Sequence, residues 1–246
     1  MNVSSRLPGT GTSIFSVMSK MALEHGAINL SQGFPDFPVD RVLIDLIHQK
    51  MVEGHNQYAP MPGVLPLRQA IAQTAQETYG RAVDPETEVT VTAGGTEALF
   101  SALAALVHPG DEVILFDPAY DSYDPAIRLN GGVPVHLNLA PPDFRIDWQA
   151  VKARISPRTR IIMVNTPHNP SGAVMHEADW RELEALALKH NLVVISDEVY
   201  ERLIFDGLRH HSVLSFPSLA DRSVAVYSFG KTFHATGWKV GYAVAS

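Results

Sequence analysis

Between residues 88 and 245 the chain alternates, again and again, between short β-branched runs and stretches with helical apolar spacing. Few architectures accept that order, because each strand must be covered by the helix that follows it. Strands are predicted at 88–92, 112–116, 133–137, 160–164, 192–196, 223–227 and 240–245. Helices are predicted between them at 96–107, 122–129, 148–155 and 177–190. Ile161-Ile162-Met163-Val164 and Leu192-Val193-Val194-Ile195 are apolar at every position, the pattern of strands buried on both faces. The expectation is an α/β fold, a mostly parallel mixed sheet with helices on both sides.

Upstream, helical spacing marks 39–53, where Val42, Leu43, Leu46, Ile47 and Met51 recur, and 65–79, after the turn at Pro62-Gly63. Residues 1–38 are rich in Gly, Pro and Ser and carry one short amphipathic piece at 14–24. We therefore divide the chain into an N-terminal segment, 1–38, and one large domain, 39–246.

The absence of cysteine excludes disulfides, thiolate metal sites and a cysteine nucleophile, and suits a reducing cytoplasm. A net charge of −7 gives no general reason to expect nucleic acid or membrane as partner. The first residues lack the cationic start and apolar stretch of a leader. His210-His211 has no metal-ligand spacing around it, and no metal site is predicted.

The polar clusters fall where predicted strands end, which is where open α/β sheets bind ligands. Residues 165–172 read NTPHNPSG, 195–200 read ISDEVY, and 228–242 read SFGKTFHATGWKVGY. Together they offer a pyridine-ring aldehyde most of what it needs. Lys231 supplies an amine that can condense with the aldehyde and later carry a proton. Asp197 supplies a carboxylate for the ring nitrogen, so that the ring can absorb an electron pair. Tyr200 and Asn169 supply a phenol and an amide for the ring oxygen. At Thr92-Ala93-Gly94-Gly95-Thr96 a strand meets a helix, and the free amides there suit a phosphate. Each signal is weak alone: Asp197 is equally a helix cap, Asn169 equally a turn former, and most lysines are solvated surface charges.

In this order the segments resemble the fold-type I pyridoxal-phosphate enzymes, specifically the aspartate-aminotransferase-like group. INLSQGFPDF at 28–37, NQYAPMPG at 56–63 and DPAYDSY at 117–123 are most similar to the methionine and kynurenine aminotransferase branch. The resemblance implies pyridoxal 5'-phosphate as cofactor, with Gly94, Gly95, Thr96, Ser228 and Lys239 around its phosphate. Lys239 stands where the family more often has Arg, a point charge in place of a fork. It further implies Tyr120 stacked on the ring, and Tyr58 reaching the phosphate of a neighbouring subunit in a homodimer. Gly33, Phe15 and Asn169 would lie on the substrate side, although Phe15 is as well explained by packing in a short helix.

The implied activity is transfer of an amino group from methionine or another bulky apolar or aromatic donor to a 2-oxo acid. A cysteine-conjugate β-lyase would use nearly the same cofactor residues. Family members continue well past the last strand into a small domain that carries an arginine for the substrate carboxylate. Neither has a counterpart in this sequence, so the chain alone is expected to bind cofactor weakly and turn over poorly, or to be an inactive cofactor-binding fragment.

Overall fold

The computed structural model describes residues 4–33 and 35–246. Seven strands form one sheet: β1 (Val89–Thr92), β2 (Glu112–Asp117), β3 (Val133–Asn138), β4 (Thr159–Asn165), β5 (Val193–Asp197), β6 (Ser223–Ser228) and β7 (Gly241–Ala245). Their spatial order is β1-β7-β6-β5-β4-β2-β3. β7 runs antiparallel to both its neighbours, and the other pairs are parallel. Two reversals cancel, so β1 points the same way as β6. The C-terminal ends of β1, β2, β4, β5 and β6 therefore share one edge.

The helices are α1 (Ile14–Glu24), α2 (Arg41–Val52), α3 (Leu65–Tyr79), α4 (Gly95–Leu106), α5 (Tyr123–Leu129), α6 (Trp148–Arg154), α7 (Glu177–His190), α8 (Pro217–Ala220) and α9 (Phe229–Thr232). Every predicted strand and helix is present, with ends shifted by no more than two residues. The four-residue helices α8 and α9 are additions, too short to show a 3.6-residue period.

The apolar strands divide their residues between two cores by alternation. Ile114, Ile162, Val164 and Val194 face one side with Trp180, Leu183 and Leu186 of α7. Val113, Leu115, Ile161, Met163 and Ile195 face the other, with Leu99 and Leu103 of α4 and Ile127 of α5. Helices on both faces explain why these strands carry no polar alternation.

Ends are capped by local chemistry. Asp147 accepts from the amides of Gln149 and Ala150 at the start of α6. Asn191 closes α7 in the left-handed conformation. Helices α1 and α2 also have capped starts, at Ser13 and Asp40, yet neither buries a residue. Among the described residues no helix is long and apolar enough to cross a membrane.

Candidate active site

The shared strand edge opens into a cavity of about 330 Å³. Ten of the expected residues line it: Gly94, Gly95, Thr96, Tyr120, Asn169, Asp197, Tyr200, Ser228, Lys231 and Lys239. Nine of them stand at or just after the end of a strand, and Lys239 just before the start of β7. The β1–α4 turn brings the glycines and Thr96, the segment after β2 brings Tyr120, and the segment after β4 brings Asn169. Asp197 ends β5, Ser228 ends β6, and Lys231 sits on α9 directly after it.

One end of the cavity is built for an anion. Gly94 has φ +86°, and a side chain on Gly95 would come within 2.9 Å of Val199. A Cβ on Gly241 would lie 2.7 Å from the Gly94 and Gly95 backbone, so β7 can pass this turn only as glycine. The first amides of α4, without intrahelical partners, face the same space with the positive end of the helix dipole. Lys239, held at φ +56°, places Nζ beside Gly94, 3.7 Å from the position a Cβ there would take. Thr96 and Ser228 add hydroxyls.

Another part of the wall suits a cation. Asp197 is buried, and its carboxylate accepts the hydroxyl of Tyr123 and, at 3.2 Å, the amide of Val199. Burial pushes the Asp197 carboxyl up to about 6, against the lowering effect of those two bonds. A protonated ring nitrogen would relieve that penalty. Tyr123 remains a phenol, because burial and the Asp197 charge both raise it. Its ring meets Tyr120 edge-on at 5.6 Å.

In the same cavity, Lys231 Nζ lies 5.3 Å from the centroid of the Tyr200 ring. Burial, then the Asp197 charge, raises the Tyr200 phenol and keeps it a donor. Asn165 ties the framework together. Its Nδ2 donates to the Asp197 carbonyl at 3.0 Å, and its Oδ1 accepts the Asn169 amide at 2.7 Å. The neighbouring His168 bridges Ser171 at 2.7 Å and the Pro118 carbonyl at 3.0 Å, joining the Asn169 turn to the segment that carries Tyr120. Burial holds the His168 imidazole below its ordinary range, and its ring nitrogens are both engaged.

Three expected residues stand elsewhere. Tyr58 is fully exposed, and Phe15 on α1 and Gly33 lie outside the cavity wall; Gln32, beside Gly33, lines it instead. Tyr123 and Asn165 are the residues that sequence reasoning missed. Asn165 ends an apolar run as Asp197 does, so the same strand-end signal marked it. Tyr123 had no such signal. A second cavity of about 400 Å³ shares Tyr120, Tyr123, Asn165 and Asn169 but is otherwise walled largely by apolar side chains such as Phe116, Met163 and Met175. It contains neither lysine. Among the described residues there is no cluster of three or more metal-ligating side chains.

Anion cradle, lysine and buried carboxylate fit a phosphorylated pyridine aldehyde, and the surrounding sheet is that of pyridoxal-phosphate-dependent proteins of fold type I. The family described as Aminotransferase class I and II matches residues 25–246, and the chain belongs to it. It is 55% identical to the methionine aminotransferase of Escherichia coli over 241 residues, 98% of this chain and 62% of that protein. With human kynurenine–oxoglutarate transaminase 1 it shares 38% over 251 residues, 96% of this chain and 59% of that protein. The crystal structure of the Escherichia coli methionine aminotransferase superposes with a TM-score of 0.97 at 54% identity, covering 100% of this chain and 64% of that one. The chain thus spans about three fifths of the length of these relatives.

Proposed function

We propose that this chain is the cofactor-binding part of an amino-acid aminotransferase acting on methionine or another bulky apolar or aromatic donor. Family membership and the similarity to methionine and kynurenine aminotransferases support that substrate class. The observation that carries it is the convergence of Lys231, Asp197 and the Lys239–α4 cradle in one cavity. Pyridoxal phosphate, when bound, supplies an electron sink for the bond broken at the substrate Cα.

The protein's own residues do the rest. Gly94, Gly95, Thr96, Ser228 and Lys239 hold the phosphate. Asp197, itself held by Tyr123, keeps the ring nitrogen protonated. Tyr200 and Asn169 would donate to the ring oxygen, and Tyr120 would pack on the ring. Lys231 would anchor the cofactor, and its amine, when free, would serve as the base for the substrate Cα proton. Gln32 at the cavity wall supports a role for the 1–38 segment in the site rim. The exposed Tyr58, with the uncovered apolar faces of α1 and α2, supports a homodimer in which Tyr58 reaches the neighbouring site. The absence of cysteine fits a cytoplasmic setting.

The test is reconstitution with pyridoxal phosphate, borohydride reduction and peptide mapping, followed by an assay with methionine and a 2-oxo acid. The pyridoxyl label should fall on Lys231, with amino transfer that needs the oxo acid. A label on another lysine defeats the site, and release of pyruvate and ammonia from cysteine conjugates without an oxo acid would favour the β-lyase.

A further inference from the structure

The residue after Asp197 is a second acid, and it points the other way. Strand alternation sends Asp197 to the cavity side of the sheet and Glu198 to the opposite side, together with Ser196 and Tyr227. Glu198 is completely buried, and no part of the cavity wall includes it. Burying a carboxylate costs several kcal/mol in general, so this one must be held for a reason.

Its four hydrogen bonds show what it holds. Oε1 accepts from the Ser196 hydroxyl and from the amide of Val213, both at 2.8 Å. Oε2 accepts from His210 Nε2 at 2.8 Å and from the Tyr227 hydroxyl at 3.2 Å. Ser212 extends the set with a 2.9 Å bond to Tyr227. The backbone of Glu198 also donates to Val226 at 2.8 Å, continuing the β5–β6 ladder. His210 and Val213 lie at the far end of the irregular segment that leaves β5 and carries Val199 and Tyr200 into the cavity wall. One carboxylate thus fastens both ends of that segment.

Charge adds a second effect. Tyr227, buried beside Glu198, and Tyr79 both stay phenols, each raised by burial and by nearby carboxylates. Around Glu198 stand His210, Tyr227, Tyr79 and the acid Glu201; around Asp197 stand Tyr123, Tyr200 and Lys231. The Glu198 charge acts on Asp197 through the strand end, in the direction that strengthens proton binding there.

We propose that Glu198, with His210, is a positioning residue for the cofactor. From the far face of the sheet it fixes the segment that presents Tyr200 and supplies a standing negative charge behind Asp197. The inference rests on the cofactor reading above.

Glu198→Gln keeps the volume and an acceptor for Ser196 and Val213 but removes the charge. In protein loaded with pyridoxal phosphate, the pH midpoint of the bound cofactor's visible absorbance should fall by about half a pH unit, roughly threefold in proton affinity. His210→Leu leaves the charge and frees the far end of the segment. It should raise the pyridoxal phosphate dissociation constant about fivefold, the size of one lost hydrogen bond. A lower melting temperature with midpoint and affinity both unchanged would mean that the network only stabilises the fold, and would overturn the proposal. If Glu198→Gln does not fold, the affinity of His210→Leu decides alone, an unchanged value counting against it. Failure of the wild-type protein to take cofactor at Lys231 brings down both readings; wild-type loading with unmoved variants brings down this one only.

Discussion

Helices α2 and α7 both show apolar residues at helical spacing, yet they end in opposite situations. On α7, Trp180, Leu183, Leu186 and Ala187 are buried against the sheet. On α2 no residue is buried, and Val42, Leu46, Ile47 and Met51 remain exposed. α1 repeats the contrast with Ile14, Val17, Met18 and Met21 along one uncovered face. Periodicity therefore establishes that a helix exists and which face is apolar. What covers that face is a matter of topology: α7 follows one parallel strand and precedes the next, so it is pressed onto the sheet, whereas α1 and α2 belong to no such crossover. α3, which also precedes every strand, still buries Ile71 and Ala75.

The contrast is tested most severely at Trp180, which is fully buried and stacks on Phe216 at 5.7 Å. Trp180→Ala should cost about 3–5 kcal/mol in urea unfolding. The indole Nε1 is buried and has no partner among the described residues. Trp180→Phe therefore removes an unsatisfied donor along with some volume, and should cost far less. Equal losses for the two variants would show that buried volume does not set the cost at this site.

Asp197 is the polar counterpart of that core, a buried carboxylate in the cavity wall. Asp197→Asn should retain the cofactor through its phosphate contacts while the chemical step slows about 100- to 1,000-fold, since a neutral amide cannot hold the ring nitrogen protonated. Single-turnover rates close to wild type would reduce Asp197 to a turn residue. Without cofactor the sign reverses. A carboxyl raised to about 6 by burial binds its proton more tightly folded than unfolded, so ionisation weakens the fold as pH rises toward 6. The cofactor-free Asn variant should thus be more stable than wild type at pH 8 by about 1–3 kcal/mol, with the gap closing toward pH 4.

These residues also mark how far the sequence could be read. The strand ends were visible because an apolar run stopping at Asp197 or Ser228 has a local signature. Asn165 shares that signature, but its role is not local: its partners, the Asp197 carbonyl and the Asn169 amide, depend on the β4–β5 register. The bond from Tyr123 to Asp197 spans 74 residues and has no local trace. Likewise, nothing in the short strands β1 and β7 announced that they pair antiparallel, since period-two alternation looks the same in both directions. α9, which carries Lys231, is one turn long and is fixed by what surrounds it: a side chain on Gly230 would meet the Thr236 backbone at 3.0 Å.

Between buried centre and bare periphery lies His136 on the edge strand β3. Its Nδ1 is 2.9 Å from Asp117 and its Nε2 is 2.9 Å from Asp124. Burial works to lower this imidazole, but the bonds to Asp117 and then Asp124 outweigh it and raise it above 6.5. A proton held more tightly in the folded state stabilises fully below the unfolded value and is lost as pH rises through the folded one. His136→Gln should therefore lower the urea midpoint at pH 6 and leave it nearly unchanged at pH 9. High salt should shrink the effect, because the group is only partly buried. A pH-independent difference would mean the ring acts by packing and not by charge.

The smallest expected effect is at the periphery itself, and it bears most directly on the contrast. Leu46 on α2 is half exposed, and no residue of that helix is buried. Leu46→Ser should change the stability of this chain by no more than about 0.5 kcal/mol, the usual range for surface positions. The same substitution should matter far more wherever the apolar face of α2 is covered, because a covered leucine is worth about 1.5–3 kcal/mol. Measuring the variant by urea unfolding and by sedimentation across a range of concentrations separates the two. Unchanged unfolding with weakened self-association is expected if a second copy covers this face. A loss of several kcal/mol at concentrations where the chain is monomeric would place Leu46 inside the fold's own core, and the difference between α2 and α7 would disappear.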